Sequence, residues 1–211
     1  MENNAYRHTL GIPMSRIPDR LPINHESILA EIEGVMYRSF SKHFIFSINP
    51  LFRPMTIKVI DKSNVMEYLN KHNLDMEKHL EDDVRWKWFN NETSSNYKNK
   101  QIFVICHNDK EIIFTVSYTQ YLVEHLDVYQ DYVDKYLKCD MNNCIIIRTL
   151  VVNPDYRRLG ISKLIMSSSA FYWLRQYYAI IGSTNNSVMV KAAFKTYKHV
   201  TYDKEEDYWY F

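Results

Sequence analysis

The chain has few of the residues that interrupt or staple a fold. Only four of its 211 residues are glycine and three are cysteine. The cysteines, Cys106, Cys139 and Cys144, are odd in number and lack the spacing of a metal-binding set. That excludes a disulfide-built scaffold and predicts a reducing, cytoplasmic setting. No uninterrupted apolar run approaches the roughly 18 residues of a membrane span, and the opening M-E-N-N-A-Y-R-H has no signal-peptide layout. Charge of one sign is also missing. Lys and Arg total 26 against 25 Asp and Glu, so no global field draws the chain to nucleic acid or to a lipid surface.

Locally the charge is uneven. From Cys144 to Lys198 there are eight basic residues (148, 157, 158, 163, 175, 191, 195 and 198) and one acid, Asp155. That half suits a polyanionic ligand, unless acids elsewhere in the fold balance it. The length fits one domain with an appendage and is enough to bury a full core.

Residues 1–24 hold Pro13, Pro18 and Pro22 and read as an extended arm. His25 to Phe46 reads as a helix interrupted by Gly34. Met55 to Ile60 alternates as a strand does. Asp61 and Ser63 offer N-cap chemistry to a short helix through Tyr68 and Leu69. Asp75 to Asn90 reads as a second helix, and Asn90 to Asn99 as a loop. Ile102–Cys106 and Ile112–Tyr118 form two strands joined by a turn at Asn108-Asp109. Gln120 to Leu137 carries a helical stripe, Leu122, Leu126, Tyr129, Val133 and Tyr136. Ile145 to Val152 is a central strand, followed by a helix from Ile161, a short strand at Tyr178–Ile181, a helix at Val188–Lys198 and a last strand at Tyr208–Phe211. The expected class is α/β with a mixed sheet.

The sequence from Ile145 to Met166 joins an apolar strand, the turn Asn153-Pro154-Asp155-Tyr156-Arg157-Arg158-Leu159-Gly160, and a helix. N–H groups of a first helical turn have no acceptor within the helix, and the helix dipole favours an anion there. Scarce glycine at such a turn points to a phosphate-binding role.

This stretch resembles the GNAT superfamily of acetyltransferases, whose motif [QR]-x-x-G-x-[GA] corresponds to Arg157, Arg158, Leu159, Gly160, Ile161 and Ser162. Ser162 stands where the family has Gly or Ala. A later motif, N-x-x-A-x-x-x-Y-x-x-x-G-F, corresponds to Val190, Ala193, Tyr197, Thr201 and Tyr202; Ala193 and Tyr197 match and the others depart. The element order from about Met55 onward also resembles the family, with the helix at 120–138 as an insertion. The division expected is an N-terminal extension, 1–50, and an acyltransferase domain, 51–211, with a mixed, mostly antiparallel sheet between layers of helix.

The resemblance implies an acetyl-coenzyme A-dependent N-acyltransferase. The pyrophosphate would lie on Arg157, Arg158, Leu159, Gly160, Ile161 and Ser162. The pantetheine amides would add like a strand to Leu150, Val151 and Val152. Tyr197 would protonate the departing thiolate, since a phenol of pKa about 10 keeps its proton at neutral pH. The acceptor is a small amine, a protein amine or a nucleobase, so nucleic acid stays open as a partner. No residue stands out as the base. Glu111 opens a strand; Glu124, Asp127, Asp131 and Asp134 share one helix face that is either an amine-attracting surface or a solvated one. His107, His125 and His199 read as single histidines without a partner or metal spacing. Trp86, Lys87, Trp88 and Phe89 form an aromatic-basic cluster, either core or acceptor-facing. The departures at Ser162, Val190 and Thr201 keep a second reading open: a fold of this type serving as a non-catalytic binding module.

Overall fold

The structure is a computed structural model. It describes residues 23, 25–43, 54–80, 101–120, 131–137, 144–176, 179–184, 186–196, 200–204 and 208–210. The remaining expectations, including the arm, the helix beyond residue 80, the loop before Gln101 and the larger part of the 120–138 insertion, lie outside the described residues, as do Trp86, Trp88, Glu124, Asp127, His125, Cys139, Tyr197 and His199.

The first helix, α1, runs Glu26–Lys42. The His25 side chain accepts from Ser27 N at its start, and Ile28, Ile32, Met36 and Phe40 form its buried stripe at the spacing of one helical face. The helix continues through Gly34 without a break, contrary to the interruption expected there. The apolar stripe on either side outweighs the roughly 1 kcal/mol that glycine costs a helix. Strand β1, Thr56–Asp61, leads into the turn Lys62–Asn64, capped by the Asp61 carboxylate accepting from Ser63 N at 2.8 Å. Helix α2, Val65–Lys71, and helix α3, Met76–Leu80, follow.

Strands β2, Gln101–His107, and β3, Ile112–Gln120, form the expected hairpin. Asn108 builds its turn: its side-chain oxygen accepts from the N–H groups of Lys110 and Glu111, both at 2.9 Å. Of the segment expected as an inserted helix, residues 131–137 are described, with a π-helical turn at Val133–Leu137. Strand β4, Cys144–Val152, ends in a 3-10 turn, Pro154–Tyr156. Then come α4, Ile161–Gln176, β5, Ala179–Thr184, and α5, Ser187–Thr196. Two short strands close the order, β6, Thr201–Asp203, and β7, Tyr208–Tyr210. Strand β6 is an addition to the six strands expected.

The seven strands lie in the order β1-β2-β3-β4-β5-β7-β6. All pairings are antiparallel except β4 with β5. The sheet is therefore mixed and mostly antiparallel. One face meets α1, α4 and α5 in the larger core, which includes Phe40, Phe114, Val116, Tyr118, Ile147, Val152, Ile165, Trp173 and Ala193. Phe40 stacks on Phe114 with ring centroids 4.9 Å apart, so α1 shares this core. The opposite face meets α2 and α3 in a smaller core with Ile60, Val65, Leu69, Leu80, Phe103, Ile105 and Val151. Three layers result, with the sheet in the middle.

Candidate functional site

Strand β4 is both the centre of the sheet and the place where its pairing breaks. Its parallel register with β5 runs from Cys144↔Ala179 to Ile147↔Gly182 and stops. From Ser183, β5 is paired with β7 alone, its neighbour on the edge away from β4, through Ser183↔Tyr210 and Thr184↔Trp209. Among the described residues, 149–152 of β4 thus keep β3 on one side and have lost β5 on the other. A bulge marks the point of departure. Ser117 pairs with Thr149 and Tyr118 with Ile147, so Arg148 is the extra residue. A bulge bends its strand and raises the local twist, which favours divergence from β5.

Leu150, Val151 and Val152 lie in this one-sided stretch. Their backbones pair with Val116, Thr115 and Phe114 of β3. The Val152 carbonyl accepts from Arg157 Nε at 2.9 Å. Arg157 therefore closes the turn onto the end of β4 with one nitrogen of its guanidinium.

The turn that follows is held from behind by a polar network. Tyr156 donates to Glu111 Oε1 at 3.0 Å, and Asn108 Nδ2 donates to the Tyr156 hydroxyl at 2.9 Å. Asn153 Nδ2 donates to Glu111 Oε2 at 3.2 Å and to the Ile112 carbonyl at 3.0 Å. The β2–β3 hairpin and the exit of β4 are thus one unit. Burial first, and the Glu111 carboxylate next, push the Tyr156 phenol up to about 12. Glu111 thus accepts from Tyr156 on one oxygen and from Asn153 on the other.

In front of that network the chain turns sharply. Arg158 has φ 65° and Gly160 φ 78°. Both lie in the left-handed region, where a non-glycine residue is held at a cost of order 1–2 kcal/mol. Arg157, Arg158 and Gly160 are exposed, and Leu159 is half-buried. A Cβ built on Gly160 meets nothing within 4 Å. The demand for glycine is therefore set by φ, and the position faces open space. Its carbonyl accepts from Leu164 N at 3.0 Å, which makes Gly160 the residue ahead of α4. The N–H groups of Ile161, Ser162 and Lys163 then fall in the first turn, where the helix supplies no acceptor. Ile161 is buried under the turn and Ser162 is half-buried. The exposed bend, the helix start and the cations Arg158 and Lys163 form a surface suited to phosphate.

Ala193 of the second sequence motif is fully buried in the larger core. Its helix α5 is capped by Asn186, whose side-chain oxygen accepts from Met189 N at 3.3 Å.

His107 has partners, contrary to expectation. Its Nδ1 donates to the Asn108 carbonyl at 2.9 Å, which leaves Nε2 to accept from Tyr68 Oη at 2.8 Å. The His72 ring lies 5.4 Å from it, centroid to centroid. Asp131 and Asp134 are exposed. Sequence reasoning missed His79. It is 4% exposed, its Nε2 lies 3.2 Å from Thr115 Oγ1, and burial, then the nearby Arg157 cation, lower its pKa to about 4. It borders a polar pocket of about 430 Å³ lined also by Lys78, Lys110 and Asp155. Its signal was present: Met76, His79 and Leu80 occupy one helical face. Among the described residues no helix is long and apolar enough to cross a membrane, and no three-residue cluster of His, Cys, Asp or Glu could hold a metal ion.

No protein-family model and no curated protein sequence matches the chain. Solved structures do. One is Arabidopsis thaliana NAA60 in complex with acetyl-CoA, 13% identical over 70% of this chain and 85% of that one, with a TM-score of 0.46. Another is the PaiA N-acetyltransferase of Thermoplasma acidophilum in complex with coenzyme A, 11% identical over 74% and 97%, with a TM-score of 0.44. A third is an acetyltransferase of the GNAT family from Streptococcus pneumoniae, 13% identical over 74% and 98%, with a TM-score of 0.41.

Proposed function

We propose that this chain is a GNAT-type N-acyltransferase that takes its acyl group from acetyl-coenzyme A. The observation that carries the reading is the course of β4. The strand loses β5 after Ile147 and runs with one open edge into an exposed left-handed turn and a helix start.

A pantetheine arm is a chain of amides, and an unpaired strand edge is a row of amide partners. The diphosphate at the far end of that arm would meet the N–H groups from Gly160 to Lys163. Arg158 and Lys163 add positive charge there. Arg157, bonded to Val152, sets the height of the turn above the strand. The reacting thioester then falls on the sheet side of the cleft, where β4 and β5 separate.

The reaction this serves is attack of a neutral acceptor amine on the thioester carbonyl. A C–N bond forms and the C–S bond breaks. One proton leaves the nitrogen and one is taken up by the thiolate sulfur. Tyr197 is the residue proposed to give the second proton, on the strength of its place four residues after Ala193 in the sequence pattern. Holding the two reactants in line supplies a large part of the acceleration, since a thioester is already activated. The acceptor class stays open among small amines, protein amines and nucleobases.

Isothermal titration with acetyl-coenzyme A tests the reading. Binding in the micromolar range is expected, and Arg158→Glu or Gly160→Trp should weaken it more than tenfold. A folded protein that binds no acetyl-coenzyme A would discard the enzyme and leave the non-catalytic module.

A further inference from the structure

Strand β3 carries a row of hydroxyls on the sheet face that meets α3. Thr115, Ser117 and Thr119 alternate there and are all buried. Val116 and Tyr118, between them, point into the larger core on the other face. Two of the three hydroxyls have partners: Thr115 lies 3.2 Å from His79 Nε2, and Thr119 donates to the Gln120 carbonyl at 3.1 Å. Among the described residues Ser117 has none, and neither does Thr149, the residue directly opposite it on β4. Both oxygens are buried. Cross-strand Thr and Ser commonly bond each other, and a buried hydroxyl left alone is costly. Two such groups facing each other are an arrangement that folding alone does not favour.

Their position suggests what they are for. Thr149 follows the bulged residue Arg148 and stands in the first part of β4 that β5 no longer covers. On the opposite face Leu150 and Val152 pack into the apolar core under α1 and α4. A polar group arriving at this edge of β4 therefore finds hydroxyl partners on the Ser117–Thr149 face alone.

We propose that the hydroxyls of Ser117 and Thr149 recognise the acyl carbonyl oxygen of a bound acyl-coenzyme A. The inference rests on the acyl-coenzyme A reading of the open β4 edge and assigns two side chains to its reacting end. Each hydroxyl has one hydrogen to donate, and a carbonyl oxygen accepts two. Negative charge grows on that oxygen as the amine attacks. Donors already in place and shielded from bulk water stabilise it more than water would.

The test compares acetyl-coenzyme A with coenzyme A by isothermal titration, so it needs no acceptor. The wild-type protein should bind the acetylated form roughly tenfold more tightly, the ratio one or two added hydrogen bonds provide. The double variant Ser117→Ala, Thr149→Val should bind both forms equally, with its affinity for coenzyme A unchanged. Its thermal midpoint should stay level or rise, because two unpartnered hydroxyls are gone. Thr149→Ser, which keeps a hydroxyl, should retain the preference. If the double variant fails to fold, the two single variants are measured, and each should lose part of the ratio. An unchanged ratio, or affinities for the two forms that fall together, overturns the inference while leaving the acyltransferase reading in place. Equal binding of both forms by the wild type does the same. Wild-type protein that binds neither form removes the parent reading as well.

Discussion

Tyr156 donates its phenolic hydrogen to Glu111 Oε1 at 3.0 Å, and this bond joins the turn after β4 to the hairpin before β3. The two residues are far apart in sequence, yet the loop that begins at Arg157 stands on their contact. Asn108 and Asn153 complete the network from either side.

Tyr156→Phe should therefore act twice. Removing the hydroxyl leaves Glu111 short of a donor and Asn108 short of an acceptor, at a cost of about 1–2 kcal/mol. Urea denaturation reads that loss. Acetyl-coenzyme A affinity should fall several-fold in the same variant, because the turn next to Arg157 loses its anchor. Stability lost with affinity intact would mean that the network supports the hairpin alone.

The two left-handed residues of the turn should respond in opposite directions. Gly160→Ala meets no steric obstacle but places a Cβ at φ 78°, and should destabilise by about 1 kcal/mol. Arg158→Gly relieves the strain at φ 65° and should stabilise by up to about 1 kcal/mol, while weakening acetyl-coenzyme A binding through loss of charge. A thermal melt and a titration on each variant check both halves.

Stability should fall with acidification below neutral pH. His79 is held near pKa 4 in the fold, first by burial and then by Arg157, against about 6.5 in an unfolded chain. The unfolded state binds more protons between those values, so stability rises with pH across that window. The contribution is present above about pH 6.5 and is lost as pH falls toward 4. It amounts to about 3 kcal/mol at most. His107, lowered chiefly by burial, acts in the same direction. Urea midpoints at pH 4.5 and 7 should converge in His79→Leu relative to wild type; an undiminished difference would locate the acid sensitivity elsewhere.

Helix α1 shares the main core, so its anchors should be felt by the whole sheet. Phe40 is fully buried against Phe114. Phe40→Ala should cost about 3–5 kcal/mol and shift one cooperative transition. A separate early transition, with the main one unmoved, would show that α1 folds apart from the sheet.

The parts of this architecture that the sequence announced are local. The apolar run Ile145–Val152, the Asn-Pro step and Gly160 mark strand, turn and helix within twenty-odd consecutive residues, and that is how they fold. Asp61 and Ser63 announced their cap for the same reason. The resemblance implies that adjacent central strands splay beside Leu150–Val152, but the bulge at Arg148 and the point of separation after Ile147 were hidden, because both are relations between strands. Glu111 showed only as a carboxylate opening a strand, since its partners Asn153 and Tyr156 lie more than forty residues away. Strand β6 has three residues, too few to display an alternation. His79 was passed over although Met76 and Leu80 share its helical face, because its partner Thr115 lies thirty-six residues away.

The C-terminal ribbon has a consequence for the cleft. Ser183 and Thr184 of β5 are engaged by β7. β7 takes the edge of β5 that faces away from β4, so it holds the tip of β5 in a ladder after β4 has left it. The gap beside Thr149 thus opens between two strands that each keep one partner, β4 holding β3 and the tip of β5 holding β7.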